Sequence, residues 1–434
     1  MQRIDIQYLI EWKKNKNRKP LIIRGARQVG KTWLMKEFGK TAYTDMVYVN
    51  FEADPVMRTL FEDDYDTERI IRGLQILAGK PIQPEKTLII LDEIQEAPGA
   101  LTSLKYFQEH APGYHIIAAG SLLGITLNRS RSFPVGKTEF LDLHPLSFPE
   151  FLQAINEDQL AALLRNPDWQ LINTFHIKFI DRLKQYYFTG GMPEAVLAYA
   201  TNADMTQVRT IQRNILAAYE QDFSKHAPAD IVPRLRMIWN AVPAQLAKEN
   251  RKFIYGHLKT GARAKDFELA LSWLTDNGLL YKVHNLSKPA LPIKAYEELN
   301  NFKLFLLDTG LLCALAALDA RTLLEGNAVF TEFKGALTEQ YVYQQLRSLK
   351  ELPVAYWSAD NARSEVDFVL QERGRVIPLE VKAEENLRAK SLRVYYEKFQ
   401  PVRALRTSMS GYREESWLTN LPLYAIHTIP MLDV

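Results

Sequence analysis

The chain has 434 residues, 47% of them apolar and 24% charged, which is the composition of an ordinary soluble protein long enough for two or three domains. Its 54 basic and 51 acidic residues leave a formal charge of +3, too mild a surplus to mark a nucleic-acid binder by charge alone. One cysteine excludes an internal disulfide and points to the cytoplasm, no apolar run reaches the roughly 18–20 residues of a membrane span, and the eight histidines lack the close pairing of a zinc hydrolase.

Near the start, Ile4, Tyr8, Leu9 and Trp12 recur at helical spacing before the basic run Lys13 to Lys19, which predicts a short helix packed on a core and then a solvated turn. Leu21-Ile22-Ile23 reads as a buried strand and Trp33 to Phe38 as the opening of a helix. Between them, Gly25-Ala26-Arg27-Gln28-Val29-Gly30-Lys31-Thr32 is a complete G-x-x-x-x-G-K-T phosphate-binding loop in strand, loop, helix order. Its glycines let backbone N–H groups turn inward around phosphates, and the helix N-terminus adds partial positive charge. Lys31 is expected to reach the β- and γ-phosphates and Thr32 to ligate Mg²⁺, with Gly25 through Trp33 lining the nucleotide site.

Met46 to Phe51 and Leu88 to Leu91 predict further strands, the second an unbroken apolar run of the kind covered on both faces in a parallel sheet. It ends in Asp92-Glu93, at the edge where open α/β sheets bind ligands. Asp92 is expected to hold Mg²⁺ through water and Glu93 to orient and deprotonate the attacking water, although an acidic pair can also cap the helix that starts near Ala97-Pro98. His115 to Ala119 predicts another strand, followed by Gly120-Ser121, where Ser121 is either a sensor of the γ-phosphate or a turn residue. The sequence lacks an N-K-x-D motif after the loop, which favours ATP over GTP.

Arg129 and Arg131 follow, as solvated loop residues or as an arginine finger toward a neighbouring site. Thr138 to Leu143 predicts a strand, and Ser147 with Glu150 a helix N-cap and capping box. The pattern then stays helical to about Leu246, broken at Gly190-Gly191-Met192-Pro193, which reads as a hinge or turn. A helix over Asp266 to Asn277, stopped by Gly278, and strands at Leu279 to Val283 and Lys303 to Leu307 follow the order of a winged helix, with Lys259, Arg263 and Lys265 supplying charge for DNA or, equally, for a protein partner. A helix from Phe330 to Leu349 carries Glu339, and strands at Pro353–Trp357, Ser364–Leu370 and Val376–Lys382 follow. Alternation puts Glu380 and Lys382 on one face, as it does Glu365 and Asp367. Glu339, Asp367, Glu380 and Lys382 could thus form a Mg²⁺-dependent phosphodiesterase site, or be alternating charges on a solvated strand.

Taken together, the phosphate loop, Leu91-Asp92-Glu93-Ile94-Gln95, Pro145-Leu146-Ser147-Phe148, Gly190-Gly191-Met192-Pro193, Glu365-Val366-Asp367-Phe368 and Glu380-Val381-Lys382 resemble, in order, a family of prokaryotic two-part AAA-type ATPases. The C-terminal half of that family is a domain of unknown function comprising a winged helix and a PD-(D/E)xK-nuclease-like fold. The resemblance implies an α/β protein with an AAA-type P-loop ATPase domain over residues 1–150, a helical region over 151–248, a winged-helix-like domain over 249–320 and a nuclease-like α/β domain over 321–434. It puts Asp367, Glu380 and Lys382 at the nuclease-fold positions and matches Glu339 to the helix carboxylate. The chain departs from the pattern at Gly136-Lys137, where relatives commonly carry Gly-Arg, and a lysine lacks the bidentate phosphate contact of an arginine. The expected activity is ATP hydrolysis with Mg²⁺, controlling a C-terminal module that binds and cuts nucleic acid, or one that serves as a silent DNA- or protein-interaction platform. Oligomeric state is left open.

Overall fold

The computed structural model describes residues 3–62, 64–121, 136–248, 252–325, 331–359, 364–384 and 389–432. Packing divides the chain into two compact units, one made of Gln2–His144 with Asp276–Gly278, the other of Pro145–Thr275 and Leu279–Val434.

In the first unit, five parallel strands form one sheet: β1 (Leu21–Arg24), β2 (Asp45–Asn50), β3 (Thr87–Asp92), β4 (His115–Ala119) and β5 (Glu139–Asp142), in the order β2-β3-β4-β1-β5. β3 and β4 are buried along their whole lengths, as their apolar runs require. On one face Val47, Val49, Ile89 and Leu91 pack with Ile70, Leu74, Leu101 and Leu104 from the helices Thr67–Ala78 and Pro98–His110. The first of these helices is capped by Asp66, whose side chain accepts from the Glu68 and Arg69 N–H groups, and stops at Gly79 in a left-handed conformation. On the alternate face the helix Lys31–Ala42 lies so close that a Cβ on Gly39 would sit 2.7 Å from the Met46 sulfur. The strand order fixes the site: β4 separates β1 from β3, so the residue after β4 lies between the loop that follows β1 and the carboxylates that end β3.

The second unit begins with helices between Phe148 and Leu246. Ser147 and Glu150 form the predicted capping box at the first of them. An eight-stranded mixed sheet follows, made of β6 (Leu280–Leu286), β7 (Glu297–Leu306), β8 (Val354–Ser358), β9 (Glu365–Glu372), β10 (Arg375–Val381), β11 (Ala404–Ser408), β12 (Arg413–Glu414) and β13 (Leu418–Pro422). Its order is β12-β13-β11-β10-β9-β8-β6-β7. The helix Ala264–Asp276 and the antiparallel β6–β7 ribbon are present, and β6 also pairs with β8 through Asn285 and Tyr356. The ribbon is therefore the margin of the C-terminal sheet, and residues 249–320 and 321–434 share one sheet.

A buried polar junction ties two of the sequence motifs, Pro145–Phe148 and Gly190–Pro193, to Asp308 inside this unit. The Leu146 N–H donates to the Gly191 carbonyl at 2.7 Å, and the Gly191 N–H donates to Asp308 Oδ2 at 2.6 Å. Asp308, fully buried, also accepts from the Leu311 N–H at 2.9 Å and from the Gln344 amide at 3.0 Å. Burial pushes its carboxyl above the usual range, while these donors pull it back. A Cβ on Gly191 would lie 2.1 Å from the Leu146 carbonyl oxygen, so glycine is required there by close approach.

Candidate active site

The phosphate loop is built by three left-handed backbone positions: Gly25 at φ 146°, Gln28 at φ 66° and Gly30 at φ 96°. A Cβ on Gly25 would collide with the Leu143 carbonyl oxygen at 2.3 Å. Ala26 and Val29 are buried beneath the loop, and Trp33 is 39% exposed on the helix that follows. Lys31, 6% exposed, donates to the Gly25 and Ala26 carbonyls at 2.8 and 2.7 Å. Burial pushes its ammonium down to about 8, against the pull of Glu93 and Asp92, so it holds its charge at neutral pH.

Thr32 and Asp92 meet as the sequence predicts, with the Thr32 hydroxyl donating to Asp92 Oδ2 at 2.7 Å. The same oxygen accepts from the Tyr48 hydroxyl at 2.9 Å, and the Lys36 ammonium lies 3.7 Å from the Tyr48 ring centroid. Tyr48 and Lys36 are partners that the sequence did not single out. Both belong to elements packed against β3, and no local motif marks them. A hydroxyl beside a buried carboxylate is a hard oxygen pair suited to Mg²⁺, so Thr32 and Asp92 fit the ion as its protein ligands.

Glu93 follows Asp92 in a left-handed turn at φ 50°, which swings its side chain out of the strand. Its Oε2 accepts from the Gln95 amide at 2.5 Å and from the Ser121 hydroxyl at 3.2 Å. Ser121 accepts in turn from Arg27 Nε at 3.2 Å. A chain of hydrogen bonds thus runs from the phosphate loop through Ser121 to Glu93. The helix at Pro98 starts with proline at its first turn and has no side-chain cap, so the acidic pair does not cap it. Lys137 is held by Glu109 at 3.0 Å, within the same unit. Arg129 and Arg131 lie outside the described residues.

In the second unit the carboxylates are brought near one another, with a cation among them. Glu380 Oε1 pairs with Lys382 Nζ at 2.6 Å, as their shared strand face predicts. Asp367 Oδ2 accepts from the Val381 N–H at 2.7 Å, and its charge, after burial, helps push the Glu380 carboxyl up to about 7. Glu339 is 3% exposed, and its Oε2 lies 3.7 Å from the ammonium of Lys303, which also pairs with Glu365. Lys303 is fully buried on β7 and was missed in the sequence, where it is one basic residue before the apolar run Leu304–Leu307. Among the described residues, no group of three or more His, Cys, Asp or Glu is placed to hold a metal ion.

Residues 17–152 match the family described as an AAA domain. Residues 180–322 match a domain of unknown function, DUF8612, and residues 334–427 another, DUF4143. No curated protein sequence matches the chain. Among solved structures, the chain is similar to a Walker-type ATPase of Pyrococcus abyssi at 14% identity and a TM-score of 0.45, over 72% of this chain and 94% of that one. It is also similar to the Aeropyrum pernix Orc1 protein, solved in complex with DNA, at 13% identity and a TM-score of 0.30, over 72% and 91%. A STAND-type signal-transduction ATPase of Pyrococcus horikoshii matches at 12% identity and a TM-score of 0.27, over 81% and 46%. No helix among the described residues is long and apolar enough to cross a membrane.

Proposed function

We infer that this chain, which carries an AAA-type P-loop ATPase domain followed by domains of unknown function, is a Mg²⁺-dependent ATP hydrolase whose nucleotide state controls a nucleic-acid-binding module in its C-terminal half. The observation that carries the first part is the joining of Thr32 to Asp92 at 2.7 Å, with Lys31 on the loop side and Glu93 next in the chain. Phosphoryl transfer asks a protein mainly for positioning and for charge stabilisation. Lys31 supplies a buried positive charge where the β- and γ-phosphates bind. Bound Mg²⁺, held by Thr32 and Asp92, would neutralise charge developing on the phosphate oxygens. Glu93 takes the proton of the attacking water, and Ser121 and Gln95 hold its Oε2 until that water arrives. Arg27 and Ser121 give the loop a path to report the γ-phosphate to the base.

The second part rests on charge and exposure. Lys259, Arg263 and Lys265 are exposed at and before the start of the helix Ala264–Asp276, and Lys288 and Lys294 are exposed in the connection between β6 and β7. Basic residues on a helix and an adjoining ribbon suit contacts to a phosphate backbone, and that binding weakens steeply with salt. The decisive experiment measures ATP turnover and DNA retention on one preparation. Lys31→Ala should lose ATP binding and turnover, and wild-type turnover in that variant would sink the ATPase reading. Retention of DNA that is insensitive to salt and to Lys259→Ala/Arg263→Ala/Lys265→Ala would sink the second part, and no retention at all would point to a protein partner.

A further inference from the structure

We propose that Lys303 is the resident cation of the C-terminal carboxylate cluster, standing where a divalent metal would have to sit, so that this module takes up no Mg²⁺ and cleaves no phosphodiester bond. The lack of cleavage deepens the reading above, because it makes the module a platform that binds without cutting. The placement of the cation stands on geometry alone.

Lys303 is 0% exposed, and its ammonium pairs with Glu365 and lies 3.7 Å from Glu339 and 4.8 Å from the Tyr356 ring centroid. Its field also reaches Glu380, lowering that carboxyl against the effects of burial and of Asp367. One oxygen each of Glu380 and Asp367 is already engaged, while Glu380 Oε2 has no hydrogen-bond partner among the described residues. Glu380 Oε1 is taken by Lys382, and Asp367 Oδ2 by the Val381 N–H. A second buried cation, Arg406, is the register partner of Glu380 on β11 and is 2% exposed. Positive side chains therefore approach these acids from β7 and from the end of β10, while the Arg406 guanidinium donates to Asn420 and Glu415.

Mg²⁺ demands oxygen ligands at about 2.0–2.1 Å in near-octahedral array. Carboxylates already turned toward an ammonium cannot close on such an ion while the ammonium stays. Lys303 has no easy way out, because leaving would take its counter-charge away from buried Glu339 and put a buried ammonium elsewhere. An ammonium also cannot replace the metal in chemistry, since it neither generates a metal hydroxide nor clamps an attacking and a leaving oxygen together.

The test uses nucleotide-free full-length protein, with Mn²⁺ as the metal probe, its free concentration read by electron paramagnetic resonance, and supercoiled plasmid as the cleavage substrate. Wild-type protein should take up no Mn²⁺ that Asp367→Ala or Glu339→Gln removes, and should leave plasmid intact with Mg²⁺ or Mn²⁺. Lys303→Met, which keeps the stem and deletes the charge, should gain Mn²⁺ uptake and a Mn²⁺-dependent rise in melting temperature, both lost on adding Glu339→Gln. Metal uptake or nicking by wild type that Asp367→Ala abolishes would overturn the proposal, as would a folded Lys303→Met that ignores Mn²⁺. If Lys303→Met fails to fold, the comparison of wild type with Asp367→Ala still decides. Failure of DNA retention in the same preparation would remove the binding role and leave the cation assignment untouched.

Discussion

At Glu93 the carboxylate proposed as the general base is carried on strained backbone, since a non-glycine residue at φ 50° costs of order 1–3 kcal/mol and persists only where its surroundings hold it there. The turn lifts the side chain off the buried strand toward Ser121 and Gln95. Glu93→Gln should therefore keep ATP affinity and lose about 10²–10⁴ in kcat, checked by equilibrium ATP binding beside steady-state turnover. Ser121→Ala should lower kcat with ATP affinity unchanged if Glu93 acts as proposed, because Ser121 touches Glu93 as well as the loop; an unchanged kcat would return Ser121 to a mere turn residue. These candidates could be singled out in the sequence because a phosphate loop and an Asp-Glu pair are local patterns. Tyr48, Lys36 and Lys303 were not, because each acquires its meaning from a partner on another element, from Lys36 on Tyr48 to Tyr48 on Asp92 and Lys303 on Glu339. His115 is a further residue of this kind. Burial, with Arg18 and Lys13 nearby, pushes its imidazole down to about 3, and its Nδ1 meets the Tyr43 hydroxyl at 2.6 Å. The unfolded chain takes up a proton near 6.5 and the fold refuses it until about 3, so this contribution is full above pH 6.5 and is lost as pH falls toward 3. Urea melts at pH 7.5 and pH 5 should show a wider gap for wild type than for His115→Leu.

Most elements of the first unit are where their hydrophobic patterns put them. β4 spans His115–Ala119 as read, and β3 extends the apolar run 88–91 by one residue at each end. Continuous apolar runs have one stable use in a chain of this kind, as central parallel strands covered on both faces. In the second unit, the Gly190-Gly191 break reads from sequence as a hinge or turn, whereas the structure makes it a fixed junction with Leu146 and Asp308. Gly191→Ala should destabilise this unit by about 1–3 kcal/mol through the clash with the Leu146 carbonyl, measured by denaturant unfolding with ATP affinity as the control. A pattern of glycines announces freedom of the backbone and is silent on what approaches it. The strands β11 and β13 and the helix Lys390–Phe399 show the opposite limit. They complete the sheet, yet residues 404–408 and 418–422 mix buried Arg406, Thr407, Ser408, Thr419 and Asn420 with apolar neighbours, so no clean period marks them.

Across the whole chain, the nucleotide site lies within the first unit and the charged cluster within the second. ATP with Mg²⁺ should therefore stabilise the first unit by about 2.7 kcal/mol at one hundred times its Kd, seen as an upward shift of one transition in a calorimetric scan. Thr32→Ala should reduce that shift. The sequence by itself determined the ATPase half, since a phosphate loop, a strand-terminal Asp-Glu pair and apolar strands are written in contiguous residues. It also brought Glu380 and Lys382 to one face, because alternation along a strand is equally local. Only the tertiary structure decided what surrounds that face. Lys303 reaches Glu339 and Glu365 because β7 closes one edge of a sheet whose other strands come from residues far along the chain, and burial then forces each charge to find a partner.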